Sequence, residues 1–279
     1  RLETAMRGSE DLAHSVALAE AASWIRAAGD ADTAGAAAAG TRDRNASRRQ
    51  RAVLLLSPAS STETLYACKR FAADLLDGAI CAGMGTRPPG IEDEILRKAD
   101  CYPNTAGLRM LGLERDPEPV LSAGGDLLII VDDDPFAPGQ RPAWKAHAAR
   151  FSRVLYLGTN RNATSEAAHL ALPITPHSEC DGTFVNFEGR VQRFRKGVTP
   201  AGDALWAPEL LRRLAGAAGL SFGWVNLNQL WRDLSAGEPA FAGIDVTQLG
   251  EHGLPAGAAP EGAAPADAAP AGAARADAA

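Results

Sequence analysis

Between residues 179 and 194 the chain reads ECDGTFVNFEGRVQRF, a dense set of groups that could do chemistry. Asn186, Glu188, Arg190 and Gln192 bring amide, carboxylate and guanidinium groups into one small region. Gly182 and Gly189 permit backbone turns that residues with a Cβ resist, and Thr183 adds a hydroxyl. Such a set suits a ligand cradle, or a polar clasp that fixes one loop to its neighbours. Further upstream, VDDDPF puts Asp132, Asp133 and Asp134 at the end of an apolar run. Three carboxylates can hold Mg²⁺. No Gly-x-x-x-x-Gly-Lys loop accompanies them to specify a nucleotide phosphate, so an acidic turn before Pro135 is the expectation.

The remaining reactive residues are scattered. His14, His147, His169, His177 and His252 include no pair at i, i+4, so no metal pair is encoded. No G-x-S-x-G elbow exists to start a hydrolase triad. GAICAGMGTRPPG lacks the G-x-G-x-x-G of a dinucleotide site. Cys68, Cys81, Cys101 and Cys180 form no C-x-x-C pair, and iron–sulfur sites usually show at least three closely spaced cysteines. They are expected as reduced, partly buried thiols. No catalytic residue and no metal ligand is assigned.

The elements that must position these groups follow from periodicity. SEDLAHSVALAEAASWIRAAG predicts a helix capped by Ser9, with Glu10 and Asp11 in its first turn and Gly29 at its end. Leu12, Val16, Ala19 and Ile25 would share its buried face, and Trp24 would pack. AVLLLSP, AICAG, DLLIIVDDD, RVLYLGT and LALPIT read as short buried strands. Helices are predicted over SSTETLYACKRFAADLLDG, ending at Gly78, and over GIEDEILRKAD, RPAWKAHAARF and APELLRRLAGAAGL.

Buried strands alternating with helices indicate an α/β fold: a mostly parallel, doubly wound, Rossmann-like sheet flanked by helices. Ligands in such sheets sit beyond the carboxyl ends of the strands. SPASSTE, DDDPF and GTNRNATSE are expected to meet there, with the 179–194 loop following the fifth strand.

Four regions are expected: an N-terminal helical segment over 1–29, a low-complexity linker over 30–51, the α/β domain over 52–254, and a disordered Ala/Pro/Gly tail over 255–279. The linker's Arg42, Arg44, Arg48, Arg49 and Arg51 read as a solvated charge run. A net charge of −6 offers no general nucleic-acid surface. No run of 18 apolar residues predicts a membrane span, and no signal peptide is visible. The opening Arg1 suggests a fragment or processed product.

NATSEAAHLALPITPHSECDGTFVNFEGRVQRF resembles the molybdopterin oxidoreductase superfamily. The motif residues are Thr164, Glu166 and Ala167, then Leu172-Pro173, then Gly182, Thr183, Asn186, Glu188, Gly189, Arg190 and Gln192. Within that superfamily, PNTAGLRMLGL, GDALWAPELLRRLA and LWRDLSAGEPAFAGID are most similar to the large iron–sulfur subunit of bacterial NADH-quinone oxidoreductase, respiratory complex I.

The resemblance implies that the full subunit passes electrons from NADH toward quinone. Its iron–sulfur clusters would be bound by cysteine motifs in N-terminal parts outside this chain. No cofactor is expected in this chain itself, and molybdopterin is not expected. The seven residues from Gly182 to Gln192 would then be a vestigial pterin cradle. Partners would be other peripheral-arm subunits, and the location cytoplasmic, on the inner face of the bacterial plasma membrane. Two alternatives stay open: part of an active formate dehydrogenase-like molybdenum enzyme, and a free-standing module that uses the cradle for a nucleotide or pterin.

Overall fold

The computed structural model describes residues 1–36 and 52–257, apart from 77, 78, 84, 96 and 141. The chain opens with β1 (Ala5–Arg7), β2 (Glu10–Leu12) and α1 (His14–Ala36). Next come β3 (Ala52–Leu56), α2 (Thr62–Leu75), β4 (Ile80–Gly83), α3 (Thr105–Met110) and α4 (Pro117–Ala123). They are followed by β5 (Gly125–Val131), α5 (Pro142–Ala148), β6 (Phe151–Gly158), α6 (Ala163–Ala167) and β7 (Leu170–Pro173). The last part holds β8 (Gly182–Val185), β9 (Arg190–Phe194), α7 (Ala207–Ala217), α8 (Leu227–Gly237) and β10 (Leu254–Pro255).

Five of these strands form the expected parallel sheet, in the order β4-β3-β5-β6-β7. Their apolar runs bury both faces, as parallel strands covered by helices require. Leu54, Leu56, Ile129 and Leu155 face a core shared with α1, α2, α7 and α8. Val53, Leu55, Leu128 and Ile130 face the opposite core, with Val120 and Leu121 of α4 and Trp144 of α5. Helices therefore cover both faces. The strand order reverses between β3 and β5, which places a crevice beyond their carboxyl ends.

The N-terminal segment differs from expectation. Residues 5–12 form a hairpin, with Ala5 opposite Leu12, and β1 pairs antiparallel to β7 through Met6 and Ala171. Helix α1 therefore starts at His14, not at Ser9, and runs past Gly29 to Ala36. Its buried face is Ala17, Ala21, Ile25 and Ala28, while Val16 is exposed. Leu2 and Met6 fill the α4–α5 side core and Ala5 the other, burial that favours the hairpin over an earlier helix start. Trp24 packs as expected, edge-on to His169 and beneath Arg153.

GIEDEILRKAD is not a helix. The Asp93 carboxylate accepts the Ile95 and Arg97 N–H groups, at 2.9 and 3.0 Å, and offers the backbone an alternative to helical bonds. Gly90 N–H to Ala99 carbonyl closes the loop, leaving Ile91 and Ile95 exposed.

The tail boundary also moves. Leu254 and Pro255 pair with Val191 and Arg190, and the Ala256 N–H bonds the Gly189 carbonyl. The Gly78 helix end, the linker arginines and residues 258–279 lie outside the described residues. Among those described, no helix is long and apolar enough to cross a membrane.

Candidate functional site

The 179–194 stretch is a β-hairpin, not a loop over the sheet. β8 and β9 pair antiparallel from Gly182–Phe194 to Val185–Val191, and with β10 they make a separate three-stranded sheet. Asn186 caps the turn: its Oδ1 accepts the Glu188 N–H at 3.0 Å and the Arg190 N–H at 2.9 Å. Gly189 holds φ +77°, a left-handed angle that favours glycine. Gly182 is required for space, since a Cβ there would lie 2.4 Å from the Phe194 ring.

Arg190 bonds backbone carbonyls of a neighbouring loop, Nε to His252 and Nη2 to Gly253, each at 3.0 Å. Thr183 is fully buried, whereas Glu188 and Gln192 are exposed. Asn186 thus serves its own turn, rather than the neighbouring carbonyls or carboxylates that a clasp would reach.

Two residues that the motifs did not single out hold this hairpin to the main sheet. Glu63, in the first turn of α2, is fully buried. Its carboxylate accepts the Thr183 N–H and hydroxyl, each at 3.0 Å, and Trp231 Nε1–H from α8 at 2.7 Å. Burial raises its pKa, against the pull of the Trp231 and Thr183 donors.

Asn104, also fully buried, accepts the Val185 N–H at 2.8 Å and donates to the Ser60 carbonyl at 2.8 Å. Ser60 follows β3, so this amide ties β8 to the carboxyl end of the sheet. The one sequence signal for Glu63 was its place in SPASSTE. Asn104 stands in PNTAGLRMLGL but carried no role there.

The crevice predicted beyond the strand ends is present as a cleft of about 420 Å³. SPASSTE, DDDPF and GTNRNATSE all contribute to its wall, through Ser60, Asp133 and Asn160 among others. None of the seven hairpin residues from Gly182 to Gln192 lines it. Phe184 and Phe194 do, packed 4.7 Å apart between ring centroids with His177 against them.

The three aspartates play different parts. Asp134 accepts the Thr164 hydroxyl at 2.6 Å and N–H at 3.0 Å, so the motif threonine anchors the acidic loop to α6. Glu166 is exposed. Asp133 Oδ1 accepts the Thr86 hydroxyl and the Asp134 N–H. Ser57 lies near enough to favour the Asp133 charge, yet the buried Oδ2 completes no hydrogen bond.

Asp132 holds φ +55°, a strained conformation for a residue with a Cβ, and accepts the Thr159 hydroxyl at 3.1 Å. Burial first, and the neighbouring Asp133 charge second among the raising causes, push its pKa up to about 6. Among the described residues no group of three or more His, Cys, Asp or Glu side chains is arranged to hold a metal.

That elevated pKa gives a signed expectation. An acid whose pKa is higher in the folded chain keeps its proton after the unfolded chain has lost it, so stability falls as pH rises through the gap. For Asp132 the gap runs from 3.8 to about 6. Asn tolerates the left-handed angle and does not titrate. Wild type should therefore lose on the order of 2–3 kcal/mol relative to Asp132→Asn between pH 4 and 6.5, with little change below that range. Urea melts at four pH values check it, and a flat difference would assign Asp132 an ordinary pKa.

The four cysteines are free, as expected. Burial pushes Cys81 up to about 12 and Cys180 to about 11, which leaves them as thiols at neutral pH.

The molybdopterin oxidoreductase family model matches residues 143–217. That stretch of the chain is therefore similar to molybdopterin oxidoreductases. The match runs from α5 through the hairpin to α7, and so includes Thr164 and all seven cradle positions.

Similar curated proteins are of two kinds. One is an F420-dependent formate dehydrogenase 2 alpha chain from Methanococcus maripaludis, 37% identical over 93 residues, covering 33% of this chain and 14% of the relative. Others are G subunits of NADH-quinone oxidoreductase. That of Shewanella oneidensis is 34% identical over 103 residues, covering 35% of this chain and 11% of the relative. That of Pseudomonas putida is 36% identical over 96 residues, covering 33% and 10%. The matched stretch is thus a small part of relatives several times longer than this chain.

Proposed function

We propose that this molybdopterin oxidoreductase-family domain belongs to a protein like the large iron–sulfur (G) subunit of an NADH-quinone oxidoreductase. In this reading it is a structural part of an NADH-to-quinone electron-transfer enzyme, without a redox centre of its own. The observation that carries the proposal is the hairpin. Thr183 is held on buried Glu63, Asn186 caps its own turn, and Arg190 is fixed on two backbone carbonyls. The Phe194 ring closes over Gly182, and none of the seven residues faces the cleft.

Groups committed in this way do not fit a pterin. Thr183 and Arg190 act as the polar clasp that the sequence allowed while Asn186 holds its own turn, with the family's pattern kept for folding. What favours that enzyme over a formate dehydrogenase is the resemblance of PNTAGLRMLGL to the NADH-quinone oxidoreductase subunit, and its Asn104 locks the hairpin to the sheet. Its partners are then the other peripheral-arm subunits, and it works on the cytoplasmic side of the plasma membrane.

Arg190→Ala tests the proposal. Loss of two charge-assisted bonds to backbone should destabilise the domain by about 1–3 kcal/mol. In the assembled enzyme, abundance of the subunit should fall while NADH–quinone turnover per assembled complex stays unchanged. Normal melting with abolished turnover would show instead that Arg190 holds a reacting group.

A further inference from the structure

The cleft beyond β3, β5 and β6 is separate from the hairpin residues, and its polar groups are not all satisfied. Native folds leave few buried polar atoms without a partner, and each such atom calls for an explanation. Four cleft residues carry one: Ser60 Oγ, Asp133 Oδ2, Thr175 Oγ1 and Trp206 Nε1. Ser60 is only 4% exposed. The Trp206 N–H can only donate, ionised Asp133 Oδ2 can only accept, and the Ser60 and Thr175 hydroxyls can do either. A molecule that satisfies all four must therefore both donate and accept.

Charge narrows the class. Asp132, Asp133 and Asp134 all line the cleft, and among its described lining residues Arg87 supplies the one permanent positive charge. Arg87 is engaged elsewhere, stacked on Tyr102 at 5.1 Å and bonded to the Cys101 carbonyl at 3.1 Å, although its charge still reaches Asp132. The opposite wall is aromatic, with Phe184, Phe194 and Trp206. Aromatic faces attract cations and do little for anions. The volume of about 420 Å³ matches a small molecule.

We propose that this cleft binds a small organic cation, an ammonium or guanidinium compound that also carries a hydrogen-bond acceptor. Its N–H groups meet Asp133 Oδ2, its acceptor meets Trp206 Nε1–H, and Ser60 and Thr175 complete the site. Phosphate-bearing nucleotides are disfavoured, because three carboxylates would face their charge.

Argininamide carries both required functions and serves as the probe. Titrated calorimetrically into the full chain, it should bind one-to-one and more tightly than GMP or inorganic phosphate. Asp133→Asn should weaken it at least tenfold, and Ser60→Ala about threefold. Arg87→Ala should tighten it severalfold by removing the competing charge at the rim. Arg87 is exposed, so that variant keeps the test decisive if Asp133→Asn does not fold. No saturable binding at millimolar argininamide, tighter binding of GMP, or weaker argininamide binding by Arg87→Ala would each overturn the proposal.

Discussion

Glu63→Ala is expected to lower the domain's unfolding free energy by on the order of 3–5 kcal/mol, enough to unfold a domain of ordinary stability. The substitution removes one buried carboxylate, and several groups lose their acceptor together. The Thr183 N–H, the Thr183 hydroxyl and Trp231 Nε1–H all converge on it, from β8 and α8. Each donor left buried and unpaired costs about 1–3 kcal/mol, and the cavity adds to that.

Glu63→Gln should be milder, about 1–3 kcal/mol. In either orientation its amide nitrogen faces a fixed N–H, the Trp231 indole or the Thr183 backbone. The pH dependence has a definite sign. Burial raises the Glu63 pKa, so the wild-type advantage over Gln is full below the unfolded carboxyl pKa and shrinks as pH rises through the folded one. Chemical denaturation of the three proteins between pH 4 and 8 measures both effects. An advantage that grows with pH would show a carboxylate stabilised by its donors instead.

Asn104→Ala carries the second largest cost, about 2–4 kcal/mol, because it strands one buried donor and one buried acceptor. They are the Val185 N–H and the Ser60 carbonyl. Asn104→Asp separates the two bonds. The carboxylate still accepts from Val185, but its second oxygen turns against the Ser60 carbonyl, so the variant should sit near Ala and improve as pH falls. Hydrogen exchange adds a local readout: Val185 should lose protection in Ala and keep it in Asp. Equal exchange in all three would remove Asn104 from its place as the hairpin's lock.

The parallel sheet was legible because buried strands of this kind are continuous apolar runs. AVLLL and DLLIIV occupy β3 and β5. The meeting of three loops at the strand ends followed from topology alone. The N-terminal hairpin was not legible, since Ser9 followed by Glu10 and Asp11 is also a good helix start. Its partner, Ala171, lies far along the chain.

In GIEDEILRKAD the acidic start and basic end fit a helix dipole, but one Asp93 side chain bonding its own backbone outcompeted it. The polar residues of the hairpin invited a ligand reading, which hid a strand alternation that β8 and β9 do contain. Glu63 could not be ranked from sequence, because its partners lie 120 and 168 residues away.

The pairing of β1 with β7 sets an order of events for a chain growing from a ribosome. Met6 emerges first and waits for Ala171. At about 5–20 residues per second, some 160 residues of synthesis separate the two by on the order of ten seconds or more. Throughout that interval the apolar residues Leu2, Ala5 and Met6, which end fully or almost fully buried, have no sheet to join. Within this stretch, the hairpin that extends the sheet is thus made before every strand it joins and is among the last elements able to dock. A holdase acting on the nascent chain would find its binding site there.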